Sequence, residues 1–197
     1  MIPLTLALLL SPPAVASEPA VQVGQPAPPF SLPDTTGQVH ALADLRGRTV
    51  VLEWFNPDCP FVKHAYDSGL LPGLVSTWTG QGVAWLRINS GAPGKQGAGA
   101  DRSAQAMAAW SMAGPVLIDE SGAVGQRYGA RTTPQMFVVD PAGTLVYAGA
   151  LDDAPLGRVD GDTRTDYVGA ALSALAAGQA VGTPTTRPYG CSVKYAD

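Results

Sequence analysis

An α/β fold with a mixed central sheet and helices on both of its faces follows from two features of the sequence. Short apolar runs of strand length alternate with segments of helical periodicity as far as residue 139. Parallel strands joined through crossovers need helices on the sheet faces, and this order supplies them. Beyond residue 139 a tight turn, a return strand and a terminal helix add antiparallel pairing.

Each element has a local reason. Residues 17–29 are Pro-rich and read as an extended arm. Residues 30–45 read as a hairpin, with Asp34-Thr35-Thr36-Gly37 as turn chemistry and Val39 and Ala41 alternating after it. The apolar run 49–55 is a buried central strand, broken by Asn56-Pro57-Asp58. A helix starts at Pro60, is interrupted near Gly69 and Pro72, and runs on to Trp78. Residues 83–88 form a second strand. Residues 90–100, rich in Gly and Ala without periodicity, read as a mobile surface loop and lack the spacing of a phosphate-binding loop. Asp101 opens the next helix as its cap, and residues 115–118 are a short strand followed by a short helix ending at Gly129. Strand 135–139 turns through Asp140-Pro141-Ala142-Gly143 into its partner at 144–148. Tyr167, Val168, Ala171, Leu172 and Leu175 recur at helical spacing in the last helix, 165–177. The tail, 178–197, is expected to be mostly coil.

With 46% hydrophobic and 14% charged residues, the chain has enough apolar mass for one sizeable core. Its net charge of −4 and its lack of a basic block argue against nucleic acid as a partner. Residues 1–16 read as a signal peptide, with a Leu-rich segment ended by Pro12-Pro13 and small residues at Ala14-Val15-Ala16. That run is too short to span a bilayer, so no stable membrane insertion is expected after its removal. The expected location is periplasmic or secreted, and there a pair of cysteines is free to oxidise. Cys59 and Cys191 are the two in the chain.

Cys59 is the centre of the chemistry. It falls after the central strand and directly before a Pro-started helix, where unpaired backbone N–H groups favour thiolate over thiol. An ordinary thiol is only about 3% ionised at pH 7, and the helix start supplies roughly 0.3–1 kcal/mol toward changing that. Lys63, one turn on, adds positive charge, and His64 adds it when protonated; Asp58 acts the other way. No metal site is expected, because a lone Cys59–His64 pair lacks further ligands. Glu53 is unusual in an apolar strand: it is either a buried proton relay or an outward-facing surface residue.

Taken in order, the residues resemble the thioredoxin fold in its redoxin branch. The parts are the arm Gly24-Gln25-Pro26-Ala27-Pro28-Pro29-Phe30-Ser31-Leu32, the strand before Cys59, the Thr133-Pro134 step and the Asp140-Pro141-Ala142-Gly143 hairpin. Cys59-Pro60-Phe61-Val62-Lys63-His64 and Gly190-Cys191-Ser192-Val193-Lys194 are similar to a peroxiredoxin-like group, that of the alkyl hydroperoxide reductase and thiol-specific antioxidant proteins. The resemblance implies a three-layer α/β/α sandwich over residues 30–177, with Cys191 on the tail. It implies thiol chemistry at Cys59, no cofactor, and a cis Thr133-Pro134 bond beside the sulfur, offering a backbone edge to substrate. Arg131 is a candidate for steering an anionic or peroxide substrate.

Two departures from the family pattern bear on the reaction. Val62 stands where thioredoxins carry their second cysteine, and Asn56 and Leu52 stand where peroxiredoxins carry a hydroxyl residue and a proline. Cys191 is therefore the expected resolving thiol for an exported oxidoreductase that acts on disulfides or peroxides and draws electrons from a protein or low-molecular-weight thiol. The alternative is a non-enzymatic binding domain stapled by a permanent Cys59–Cys191 disulfide.

Overall fold

The computed structural model describes residues 20–159 and 161–197, so the expected signal segment lies outside the described residues. The hairpin is present as β1 (Ser31–Pro33) and β2 (Val39–Ala41), with the Asp34 carboxylate accepting from the Thr36 and Gln38 backbone to hold its turn. β3 (Val50–Trp54) leads to α1 (Pro60–Asp67) and α2 (Leu70–Thr79). Gly69, at φ +78°, caps α2 in the left-handed region, and Pro72 falls in the first turn of that helix, where no donor N–H is required. Then come β4 (Ala84–Asn89), α3 (Ala100–Ala109), β5 (Val116–Ile118) and α4 (Ala123–Tyr128). The chain closes with β6 (Thr132–Thr133), β7 (Gln135–Val139), β8 (Leu145–Gly149), α5 (Tyr167–Ala176) and β9 (Cys191–Ser192).

Five strands form the central sheet in the order β5-β4-β3-β7-β8. β3, β4 and β5 are parallel, while β7 and β8 run antiparallel to their neighbours, so the sheet is mixed as expected. β3 lies in the middle and is buried at all five positions. Its two faces diverge by alternation. Val51 and Phe55 pack with Tyr66, Leu71, Val168 and Leu172, under α1, α2, α3 and α5. Val50, Leu52 and Trp54 face α4, the hairpin and the arm. The second face thus has one short helix, and an aromatic cluster compensates: Trp54, Tyr128 and Phe137 lie with ring centroids 5.0–5.5 Å apart.

The segments expected to be irregular are more ordered than their composition suggests. The arm bonds to the α4 and β8 ends of the molecule through Val21 N–H to Arg127 C=O and Gly24 N–H to Leu145 C=O. Residues 90–100, expected to be a mobile surface loop, reach the surface at Pro93, Gly94 and Gln96 but are anchored: Gly91, Ala92 and Gly97 are buried, and Asn56 Nδ2 and Asn89 Nδ2 donate to the Gln96 and Gly97 carbonyls at 3.1 and 2.8 Å. The tail runs beside β8 at residues 184–186, then crosses to pair with β6. Composition conceals these contacts because they are made through backbone groups, which every residue carries.

Gly97 sits at φ +72°, and a Cβ there would overlap the Asn56 side-chain amide. Gly97→Ala is expected to cost roughly 1–3 kcal/mol in urea unfolding, through the backbone strain of a positive φ and the displaced Asn56. An unchanged midpoint would mean that the loop does not support the turn before Cys59.

Candidate active site

The turn that delivers Cys59 is built from the strand break itself. Asn56 Oδ1 accepts from the Asp58 N–H at 2.8 Å, and the Asn56 carbonyl accepts from the Cys59 N–H at 3.1 Å. Cys59 is the N-cap of α1, with Pro60 at the first helical position and the Lys63 N–H closing the first turn on the Cys59 carbonyl at 2.9 Å. The chain then brings two distant segments to this sulfur. The Thr133–Pro134 peptide is cis, and the Thr133 carbonyl oxygen lies 2.9 Å from Cys59 Sγ. On the other side of Thr133, β9 pairs antiparallel with β6, placing Cys191 opposite Thr133 in register. Cys191 Sγ lies 2.6 Å from Cys59 Sγ across a sequence separation of 132.

Cys59 is fully buried beneath this strand, while Cys191 is half-buried. Burial works against ionisation of Cys59, but hydrogen bonds from Cys191 and Thr133 and from the Val62 and Cys191 backbone outweigh it, holding the Cys59 thiol below its ordinary value. Thr133 Oγ1 is buried and has no hydrogen-bond partner among the described residues, which leaves its proton available to a charged Cys59. Cys191 moves the opposite way. Burial, the hydrogen bond to Cys59 and the charge on Cys59 push it up to about 11. The pair is thus split into a thiolate-prone sulfur and a proton-holding one.

The remaining expected residues fall into different places. Lys63 is exposed and points to Asp58 at 3.9 Å, and Asp58 is held more closely by Arg102 at 2.6 Å. His64 lines a cavity of about 380 Å³ with Phe61, Asp152, Arg164 and Tyr189. The Arg131 side chain is exposed, and its carbonyl accepts from Val193 N–H at 3.0 Å, so its backbone helps seat the tail.

Glu53 is wholly buried, on the same sheet face as Val51 and Phe55. Tyr66 O–H and Trp85 Nε1–H donate to its carboxylate at 2.9 Å each, and Arg87 Nε lies 3.6 Å away while donating to Tyr66 Oη at 2.6 Å. Burial pushes the Glu53 carboxyl above its usual range, against the Arg87 charge and the Trp85 and Tyr66 hydrogen bonds. These bonds lead from β3 to α1 and β4, whereas the contacts of Cys59 lead to Thr133 and Cys191. Sequence reasoning missed Arg87, Tyr66 and Trp85 as partners of Glu53. The available signal was one charged residue in the middle of each of two apolar strands, which meet in register as Glu53 and Arg87. Tyr189 and Asp152 were also missed; the Tyr189 hydroxyl donates to Asp152 Oδ1, seating the tail just before Cys191. Nothing in the local sequence marks that pair.

Sheet order, the cysteine at the start of α1 and the cis proline step opposite it define a thioredoxin-fold redoxin. Within that class the chain belongs to the AhpC/TSA family, which matches residues 23–148. It is similar to the thiol-disulfide oxidoreductase ResA of Geobacillus thermodenitrificans, with 30% identity over 126 residues, 64% of this chain and 68% of that protein. Two solved structures cover more of it. A hypothetical protein from Sinorhizobium meliloti aligns over 90% of this chain and 97% of its own, at 30% identity and TM-score 0.78. An uncharacterised conserved protein from Geobacillus kaustophilus aligns over 95% and 98%, at 29% identity and TM-score 0.79.

Two measurements test this electrostatic picture. Alkylation of Cys59 in the reduced protein, followed by mass spectrometry, is expected to titrate below the ordinary thiol value of about 8.5. Cys191 is expected to titrate near 11. The second concerns Glu53. Its folded pKa is raised, so its contribution to stability is fully present below its unfolded value of about 4.3 and is lost as pH rises through the folded value. Glu53→Gln is expected to flatten the fall in stability from pH 4 upward; identical slopes in the two proteins would place Glu53 in its ordinary range.

Proposed function

We propose that this chain is a thiol–disulfide oxidoreductase in which Cys59 is the nucleophile and Cys191 the resolving thiol. The observation that carries this is the Cys59–Cys191 juxtaposition at the Thr133 edge, with the proton biased toward Cys191. The Cys59 thiolate attacks one sulfur of a substrate disulfide. A mixed disulfide forms, the other substrate sulfur leaves as thiolate, and that thiolate takes a proton from solvent. Cys191, deprotonated as it attacks, displaces the bound sulfur and closes a Cys59–Cys191 disulfide. The substrate has then gained two electrons, and a protein or low-molecular-weight thiol reductant restores the pair.

A disulfide substrate is favoured over a peroxide by Asn56. It stands at the position of the peroxide-orienting hydroxyl, and its amide is committed to the Gln96 carbonyl and the Asp58 N–H. The similarity to ResA supports the same choice. Residues 1–16 support a periplasmic or secreted protein working in an oxidising compartment.

Cys59→Ser is expected to abolish reduction of a small disulfide, bis(2-hydroxyethyl) disulfide, supplied with a thiol reductant. Reduced Cys191→Ser, given the disulfide without a thiol reductant, is expected to stop after one event with a mixed disulfide on Cys59, visible as a mass adduct, while thermal unfolding shows an intact fold. If both variants lose stability equally and no adduct forms, the pair is a structural staple.

A further inference from the structure

The tail occupies the edge that a substrate would need. Thr132 and Thr133 are a two-residue strand whose pairing partners are Ser192 and Cys191 of the same chain. An extended peptide adding to that edge would take the same backbone bonds and would bring its own cysteine to the position of Cys191. Cys59 is fully buried while the tail is in place. We propose that residues 189–192 are the molecule's own copy of its substrate. On this reading the Thr132–Thr133 edge takes an extended cysteine-bearing peptide with glycine before the cysteine, and the tail must lift away for that peptide to bind.

Gly190 carries the sequence preference. It lies at φ +135°, and a Cβ there would overlap the Thr133 carbonyl oxygen. That oxygen is part of the backbone beside Cys59, so it has no rotamer by which to yield. A strand seated as the tail is seated must therefore bear glycine at this position. The residue before it, Tyr189, packs on Phe61 with centroids 5.8 Å apart, in the wall of the cavity beside α1. The seat thus has an aromatic subsite, a glycine contact and a sulfur position in succession.

Attachment of the tail beyond Cys191 rests on few groups, among them an exposed Lys95–Asp197 ion pair at 2.9 Å and the half-buried Val193 side chain. Val193 N–H donates to the Arg131 carbonyl at 3.0 Å, and Ala92 N–H donates to the Lys194 carbonyl at 2.7 Å. Tyr195 O–H donates to the Ala130 carbonyl at 2.8 Å, its ring lying against Gly122 and Gly125. Local opening of a segment held by so few groups is a low-energy kind of motion. After exchange, the returning tail displaces the tethered peptide from the edge as Cys191 displaces its sulfur, so one strand replacement completes the reaction. This inference rests on the exchange function proposed above and adds the substrate's form.

The test uses the reduced full chain and a peptide of residues 187–195 whose cysteine carries thionitrobenzoate. Cys59 attacks the peptide sulfur, the sulfur–sulfur bond breaks, and thionitrobenzoate leaves as a coloured thiolate. The peptide is expected to react at least about tenfold faster than its counterpart with valine in place of the glycine, and Tyr195→Ala is expected to raise the rate about tenfold, the scale of one buried hydrogen bond with its packing. Tyr195→Phe, which removes only the hydroxyl, should give a smaller gain if the alanine variant is poorly folded. Equal rates for the two peptides, or no gain in either Tyr195 variant, would overturn the proposal. Bis(2-hydroxyethyl) disulfide separates the two readings. Failure to reduce it counts against the exchange function, whereas its reduction together with equal peptide rates counts against the substrate strand alone.

Discussion

The close approach of Gly190 to Thr133 is the constraint from which the site is assembled. It brings β9 against β6, and that pairing sets Cys191 over the fully buried Cys59. Thr133 is engaged through its backbone: its carbonyl meets the Cys59 sulfur, its peptide to Pro134 is cis, and its strand edge holds the tail. A two-residue ladder is weak by itself, since each hydrogen bond nets only about 0.5–1.5 kcal/mol. Anchors on both sides fix it. Tyr189 sits on Asp152 before the cysteine, and Tyr195 sits on the Ala130 carbonyl after it.

Beneath the site, a charged pair stands in a core that could have been apolar. Glu53 and Arg87 are both essentially inaccessible, and such a pair is costly to desolvate. Its polar groups are well matched: Glu53 receives Tyr66 and Trp85, while Arg87 donates to Tyr66 and to the Ala113 carbonyl at 2.7 Å. A one-residue slip of β3 against β4 would separate the two charges and strand each of them. The pair thus specifies the register of the central strands, and through Tyr66 it fixes the helix that Cys59 caps.

The arm and the tail close what the sheet leaves open. β8 is an edge strand, and residues 184–186 run along it with the Thr186 hydroxyl bonded to both Tyr147 and Ala150. The arm covers the turn end of the same hairpin through Gly24 and Ala27. An edge so covered offers no ladder to another chain. The same tail that seals β8 then delivers Cys191, so edge protection and thiol placement share one segment.

The sequence by itself determined the class of fold and the placement of Cys59 at a helix start. Strand-length apolar runs alternating with helical ones imply a covered sheet, and a cysteine between a strand break and Pro60 implies a helix cap, because both signals are local and periodic. The Thr133-Pro134 step was legible through its resemblance to redoxins, and the hairpin and last helix fell within a few residues of their expected bounds. Only the tertiary structure decided that Glu53 faces inward onto Arg87, that residues 90–100 are tied to Asn56 and Asn89, and that the tail forms a strand. These are choices among backbone and charge partners far apart in the chain. Local composition cannot encode them, because the energy that selects each partner exists only once burial has removed water as the competitor.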